Sequence, residues 1–431
     1  MKRIFSALLL SIYFCTAHAQ TIVANDSAET GTNSSLMTFY SLGTGMKTVT
    51  TNTDWHLAVT VRATQFPESP LGGTTIRMNE AMGVKVYYVP NTNAAGFSTL
   101  DTTGFRTWAK LHDSDKSIDE GALNSNRNLG DYYDFGWGTY NAFSHNVVGD
   151  SLYLIQLPNG ELKKFIVVDL VRDTAFNLKY SNLDNSDLQT IHIAKKDYLG
   201  KEFVYLNLTD NTVMDKEPHL ADWDLQFLKY TATDVLQGQH ISQVGVWLNK
   251  GVKAAKRPNH DVLDNDYSTL TFDTTLNAIG WNWKRPGSFL SLMIGKNIQE
   301  GFEFYIMEDS LAYFVKTKAG EYYKVVFTKY NVNNGRINFY KEKLNATGIE
   351  ETEAENKLRI FPNPANSVLN VELKSAPATI NVVDISGRII SEIVSEQNIA
   401  QINTSELATG AYLLLVTTNG KTSISKFVVS R

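Results

Sequence analysis

Short segments in which apolar and polar residues alternate recur along almost the whole chain, separated by Asn-Gly, Asn-Asn-Gly and Gly-Gly turns. Residues 152–156, 163–168, 322–328 and 336–340 are examples, rich in Val, Ile, Tyr, Phe and Thr. A period of two sends successive side chains to opposite faces of a strand. A glycine at the break, as in Leu157-Pro158-Asn159-Gly160 and Lys318-Ala319-Gly320, supplies the positive φ of a tight turn. The pattern predicts an all-β chain built from hairpins.

An ordered set of motifs also appears twice. Thr53-Asp54-Trp55-His56-Leu57 returns as Ala221-Asp222-Trp223-Asp224-Leu225, each after an aromatic-rich segment. Gly136-Trp137 returns as Gly280-Trp281, and Asp150-Ser151-Leu152-Tyr153 as Asp309-Ser310-Leu311-Ala312-Tyr313. The order is kept while the spacing varies, as insertions in loops between fixed strands would produce. Two tandem related β domains are expected, over residues 22–185 and 190–345. By strict alternation, His56 and Asp224 should point away from the tryptophans beside them, toward solvent.

The chain opens with a basic pair, Lys2-Arg3, an apolar run over residues 4–14 and small residues at Ala17 and Ala19. This is the layout of a secretory signal peptide, expected over residues 1–19. The apolar run falls short of a bilayer span, and no later segment supplies one, so no transmembrane segment is expected in the mature chain. The single cysteine, Cys15, lies inside this presequence, which removes disulfides and thiol chemistry from the mature protein. Formal net charge is −5, so nucleic acid is not an expected partner. An acidic stretch at 350–355 reads as a solvated linker over residues 346–357.

Residues 358–431 form a compact β pattern of their own, a small immunoglobulin-like β-sandwich. Phe361-Pro362-Asn363-Pro364 is followed by Asp384 and Gly387, by Leu407, Gly410 and Tyr412, and by Lys426-Phe427-Val428-Val429. This ordered set resembles the type A sorting domain of the type IX secretion system of Bacteroidota, with Pro362, Asn363, Pro364, Gly387, Gly410 and Tyr412 as its signature. The resemblance implies partnership with the type IX machinery, passage through the periplasm and delivery to the outer cell surface. It also implies removal of the domain, with release or attachment to lipopolysaccharide.

The two preceding domains resemble the HmuY haemophore family, through Asp222-Trp223-Asp224-Leu225 and through the closing strands around Tyr323-Lys324-Val325-Val326-Phe327 and Ile337-Asn338-Phe339. That family holds haem between axial His or Met side chains on loops, and Phe143-Ser144-His145 resembles one ligand segment. His145 is therefore the candidate metal ligand, with Trp137, Tyr140 and Phe143 nearby as walls for a porphyrin. His112, in the polar stretch 108–113, is the candidate second cofactor ligand. In the second domain His260 and Met293 fall in the corresponding region.

Against catalysis, the sequence has no G-x-S-x-G, no H-E-x-x-H, no phosphate loop and no dinucleotide fingerprint. The sequence thus points to a binding protein, either of haem or, as an adhesin or a glycan- or protein-interaction module, of another surface partner. Deleting residues 358–431 should leave the protein in the periplasm, as cell fractionation would read. Normal surface display of the truncated chain would contradict the sorting role.

Overall fold

The computed structural model describes residues 23–64, 71–233, 238–259, 261, 264–286, 305–308, 310–344, 358–373, 375–384, 389–418 and 421–430. The expected signal peptide and linker, Gly387, His260 and Met293 lie outside the described residues. Within them the chain is all-β, with antiparallel strands joined by turns and short 3-10 segments.

One unit is a sandwich. Its smaller sheet runs in the order Thr212–Met214, Phe203–Asn207, Leu57–Thr60, Ile76–Met78. Its larger sheet runs Gln189–Ala194, Ala175–Asn182, Leu162–Val171, Tyr153–Gln156, Lys85–Tyr88, Lys110–Leu111, with the hairpin Gly138–Asn141/Asn146–Gly149 attached to Leu162–Val171. Alternate residues of the facing sheets, Leu57, Val59, Val204 and Leu206 against Tyr153, Ile155, Phe165 and Val167, fill the core.

A second sandwich repeats this order of pairings. Its smaller sheet is His240–Leu248, Leu225–Thr233, Leu36–Tyr40, Lys47–Thr51, and its larger one Val23–Glu29, Arg336–Leu344, Tyr322–Asn331, Ala312–Lys316, Lys253–Arg257. Even an irregularity recurs, since the register shifts between Val167 and Asp169 in one unit and between Phe327 and Lys329 in the other. Tyr40, Phe227, Tyr313, Val325 and Phe339 lie in its core.

The first strands described therefore complete the sandwich made by residues 225–344. Val23–Glu29 pairs along all seven residues with Arg336–Leu344, and Leu36–Tyr40 pairs with Leu225–Thr233. The boundaries 22–185 and 190–345 are corrected accordingly: residues 23–51 belong with 225–344, and residues 57–214 form the other unit. Motif order along a chain tells which strands are alike, but not which sheet edge each one joins.

The outer faces of the two small sheets pack on each other, and the aromatic contacts within each sheet come in matched sets. Trp55 meets Tyr205 edge-on at 4.9 Å, and Trp223 meets Phe39 edge-on at 5.0 Å. Asn79 Nδ2 donates to the carbonyls of Asn52 and Trp55, as Asn249 Nδ2 does to those of Leu220 and Trp223. The expectation for His56 and Asp224 is overturned, because neither faces solvent. His56 Nδ1 accepts from the Leu208 amide at 2.9 Å, and Asp224 Oδ2 accepts from the Leu42 amide at 2.8 Å. Both stand before their strands begin, where alternation has no hold, and each satisfies a backbone donor that burial would otherwise orphan.

Residues 358–430 form the small sandwich expected, with Arg359–Phe361, Val368–Glu372 and Ile399–Asn403 facing Ile389–Ser395, Ala378–Asp384, Gly410–Thr418 and Lys421–Val429. Asn363 grips the last strand: its Oδ1 accepts from the Val428 amide at 2.8 Å and its Nδ2 donates to the Lys426 carbonyl at 3.2 Å. Tyr412 donates its hydroxyl to the Ala408 carbonyl at 2.9 Å and stacks on Phe427.

A fragment of residues 216–344 should lack stable tertiary structure, and adding a peptide of residues 23–51 should restore near-ultraviolet circular dichroism and slow amide exchange. Cooperative unfolding of the fragment alone would show that the closing strands are dispensable.

Candidate functional site

The hairpin Gly138–Asn141/Asn146–Gly149 presents His145 at its tip. Asn141 builds the turn, its Oδ1 accepting from the amides of Phe143 at 2.9 Å and Ser144 at 3.1 Å while its carbonyl accepts from the His145 amide at 2.8 Å. His145 takes a left-handed φ of 61°, a conformation that histidine adopts more readily than most residues. The hairpin seats tightly on Leu162–Val171: a Cβ on Gly149 would stand 1.6 Å from the Val167 carbonyl oxygen, so only glycine permits the approach.

Tyr140 Oη and His145 Nδ1 lie 2.7 Å apart in a hydrogen bond that orients the imidazole and commits its Nδ1. Nε2 remains for a ligand. Tyr133 stacks parallel to Tyr140 with centroids 5.8 Å apart, and Tyr132 meets Tyr133 edge-on. With Phe135, Val147 and Leu170 as apolar floor and Arg172 and Asp173 at the rim, these groups line an open cleft of about 600 Å³. Asp173 is already engaged, accepting from the Thr64 amide at 2.6 Å and from Lys195 Nζ at 2.5 Å. Arg172 donates through Nε to the Ser144 carbonyl at 3.3 Å, which leaves its other guanidinium nitrogens for an anionic group. The cleft can stack a planar ring, offer one imidazole nitrogen to a metal and pair with a carboxylate.

His112 is not part of it. Its Nδ1 lies 2.7 Å from Glu80 Oε1, and its ring stacks on His240 of the other unit, centroids 3.6 Å apart and planes within 2°. Burial and the neighbouring His112 ring hold the His240 pKa below its ordinary value. The expected pairing of His145 with His112 is thus corrected: a side chain in the unit-to-unit contact cannot reach round to the hairpin cleft. Trp137 is not a wall either; it is wholly buried, and its Nε1 donates to the Thr74 carbonyl at 2.8 Å. Phe143 projects fully into solvent at the hairpin tip. The sequence reading missed Tyr132, Tyr133 and Arg172, although two adjacent tyrosines in the Gly- and Asp-rich stretch 130–136 were a signal.

Between the two units lies a second, smaller cavity of about 60 Å³, bordered by Trp55, Asp113, Tyr205, Glu217 and Trp223. It has room for water but not for an organic ligand. Glu217 accepts from Tyr205 Oη at 2.7 Å and from the amides of Glu202 and Phe203, and burial nevertheless pushes its carboxyl up to about 7. Burial likewise pushes Asp113 up to about 6.

Residues 359–430 match the family model described as the secretion system C-terminal sorting domain. The chain thus carries a type IX sorting domain and is a secreted protein of the outer cell surface. No curated protein matches it. Among solved structures it is similar to PorZ, an essential surface component of the type-IX secretion system of Porphyromonas gingivalis, at 14% identity over 68% of this chain, with a TM-score of 0.17. It spans 44% of that chain. It is also similar to the apo HmuY analog of Tannerella forsythia, at 10% identity over 76% of this chain and 98% of that one, with a TM-score of 0.16.

Because the folded Glu217 holds its proton up to about pH 7 and an unfolded glutamate only to 4.5, this group's effect on stability worsens as pH rises between those values. Glu217→Gln should flatten that part of the curve and stabilise the protein at pH 8 relative to pH 5. Parallel denaturant midpoints for the two proteins would refute it.

Proposed function

We propose that the chain is a surface-delivered binding protein whose unit of residues 57–214 takes up a planar aromatic ligand bearing carboxylates, haem being the candidate. The observation that carries this reading is the Tyr140–His145 pair in a cleft walled by stacked tyrosines. His145 would meet the iron through Nε2, Tyr133 and Tyr140 would offer ring faces, and Arg172 would pair with a propionate. Haem iron accepts imidazole and phenolate ligands alike, so the donor set fits the group. The cleft volume is in the range of small-molecule sites, and burial of apolar ring area would supply most of the affinity. His145 is the single histidine among the described cleft residues, so it would be the one imidazole to hold the iron. Binding, not catalysis, is the proposed activity.

The two units are read as copies of one β domain, supported by their shared strand order and shared register shift. Among the described residues, the cleft is seen in one copy. In the other, the ladder of Lys284–Pro286 and Tyr305–Met307 carries a buried amine, that of Lys284. Lys284 Nζ donates to the Val244 carbonyl at 2.5 Å and lies 4.4 Å from the Trp283 ring centre, and burial pushes its pKa down to about 7.

A second reading, a glycan platform, is favoured by the exposure of Tyr132 and Tyr133, 62% and 51%. Titrating the purified chain with haem separates the two. A saturable Soret shift should appear, be lost in His145→Ala, change its ligand-field bands in Tyr140→Phe and persist in His112→Ala. If the wild type shows no saturable shift, haem is excluded, and carbohydrate binding that Tyr133→Ala abolishes would replace it.

A further inference from the structure

On the outer face of the large sheet of the second unit, three side chains converge that neither the sorting role nor the cleft uses. Lys324 and Glu342 stand directly opposite each other on the paired strands Tyr322–Asn331 and Arg336–Leu344. Lys324 Nζ lies 2.9 Å from Glu342 Oε2. Asn265, on the loop that covers this face, touches Lys324 Nζ through its carboxamide oxygen and donates its Nδ2 to Glu342 Oε1 at 2.7 Å. One carboxylate thus contacts both the amine and the amide nitrogen. The Lys324 side chain is 1% exposed, and the surrounding cluster of Phe314, Val326, Tyr340 and Tyr267 keeps bulk water out.

From this arrangement we infer that Lys324 and Asn265 become joined by an isopeptide bond, formed by the chain itself with Glu342 as the proton carrier. Glu342 takes a proton from the Lys324 ammonium, and the free amine attacks Asn265 Cγ, forming the C–N bond. Glu342 then gives its proton to Nδ2 as the Cγ–Nδ2 bond breaks. Ammonia leaves, carrying off the amine's second proton as ammonium, and Glu342 is again a carboxylate. The protein loses one positive charge and one ammonia, and no oxidant or cofactor is needed. Proximity favours the step, since the reacting groups are already in contact. Exclusion of water strengthens the pull of the carboxylate on both nitrogens.

The other unit supplies a built-in contrast. Lys164 occupies the position of Lys324 and also meets an asparagine, Asn185 Oδ1 at 2.5 Å. The residue opposite Lys164 is Ser181, where the second unit has Glu342. Asp184 acts on Lys164 from the turn, but with no carboxylate opposite the lysine to touch both nitrogens, that pair stays an ordinary hydrogen bond.

The test is mass spectrometry of the full secreted chain, denatured and digested with trypsin. The expected product is a branched peptide in which the segment holding Asn265 is attached to Lys324, lighter by one ammonia than its two parts, with no cleavage after Lys324 and normal cleavage after Lys164. Total mass alone does not decide, because an N-terminal Gln20 also loses ammonia when it cyclises. Lys324→Arg and Glu342→Gln should each give only linear peptides of full mass. Ordinary cleavage after Lys324 in the folded wild type would overturn the proposal. A branched peptide persisting in Glu342→Gln would overturn the role given to the carboxylate.

Discussion

The ladder between Val23–Glu29 and Arg336–Leu344 holds the architecture together, since it joins segments about three hundred residues apart and supplies one edge strand of the second unit's large sheet. Closing a loop of that length costs roughly 5 kcal/mol in chain entropy. The strands it brings home bury Met37, Phe39, Tyr40 and Leu42 almost completely. At roughly 1.5–3 kcal/mol for each large apolar side chain, their burial exceeds the closure cost. The face this segment presents outward is the one that meets the neighbouring unit, where Phe39 and Trp223 join Trp55 and Tyr205 in one apolar cluster.

Much of the fold was legible in the sequence because it rests on local chemistry. Alternation marked the strands, glycine turns marked the hairpins, and the spaced motifs of residues 358–430 marked the sorting domain. What was not legible depends on which edges meet. The reading kept residues 23–51 with their sequence neighbours because nothing in an alternating strand records its partner. His56 and Asp224 looked exposed for a related reason: alternation was extended one residue past the strand, where the side chain turns back to hold an amide. Of the candidate site, His145 and Tyr140 could be picked out from a short segment. Arg172 comes from the turn after Leu162–Val171, and His112 is drawn away by Glu80 and His240, both facts of tertiary contact alone.

The two units show how a common β framework carries different polar chemistry. Strand order and register shift are shared, yet one unit bears an imidazole among tyrosines at a hairpin tip and the other a buried amine among aromatics where the strand Lys284–Pro286 begins. The residue facing the buried lysine likewise differs, serine against glutamate. Lys164 and Lys324 lie on the outer faces of their large sheets, away from the cores shared between the sheets.

Closure by the leading segment also sets a timetable. Synthesis adds roughly 5–20 residues per second, so about 15–60 s separate the appearance of residues 23–51 from that of the strands they must meet. Throughout that interval residues 57–214 can finish their own sandwich while the segment ahead of them stays unpaired, an open edge of the kind that recruits strangers. A chain threaded through a membrane in this order reaches its finished shape only when its last β unit has emerged, just before the sorting domain that follows.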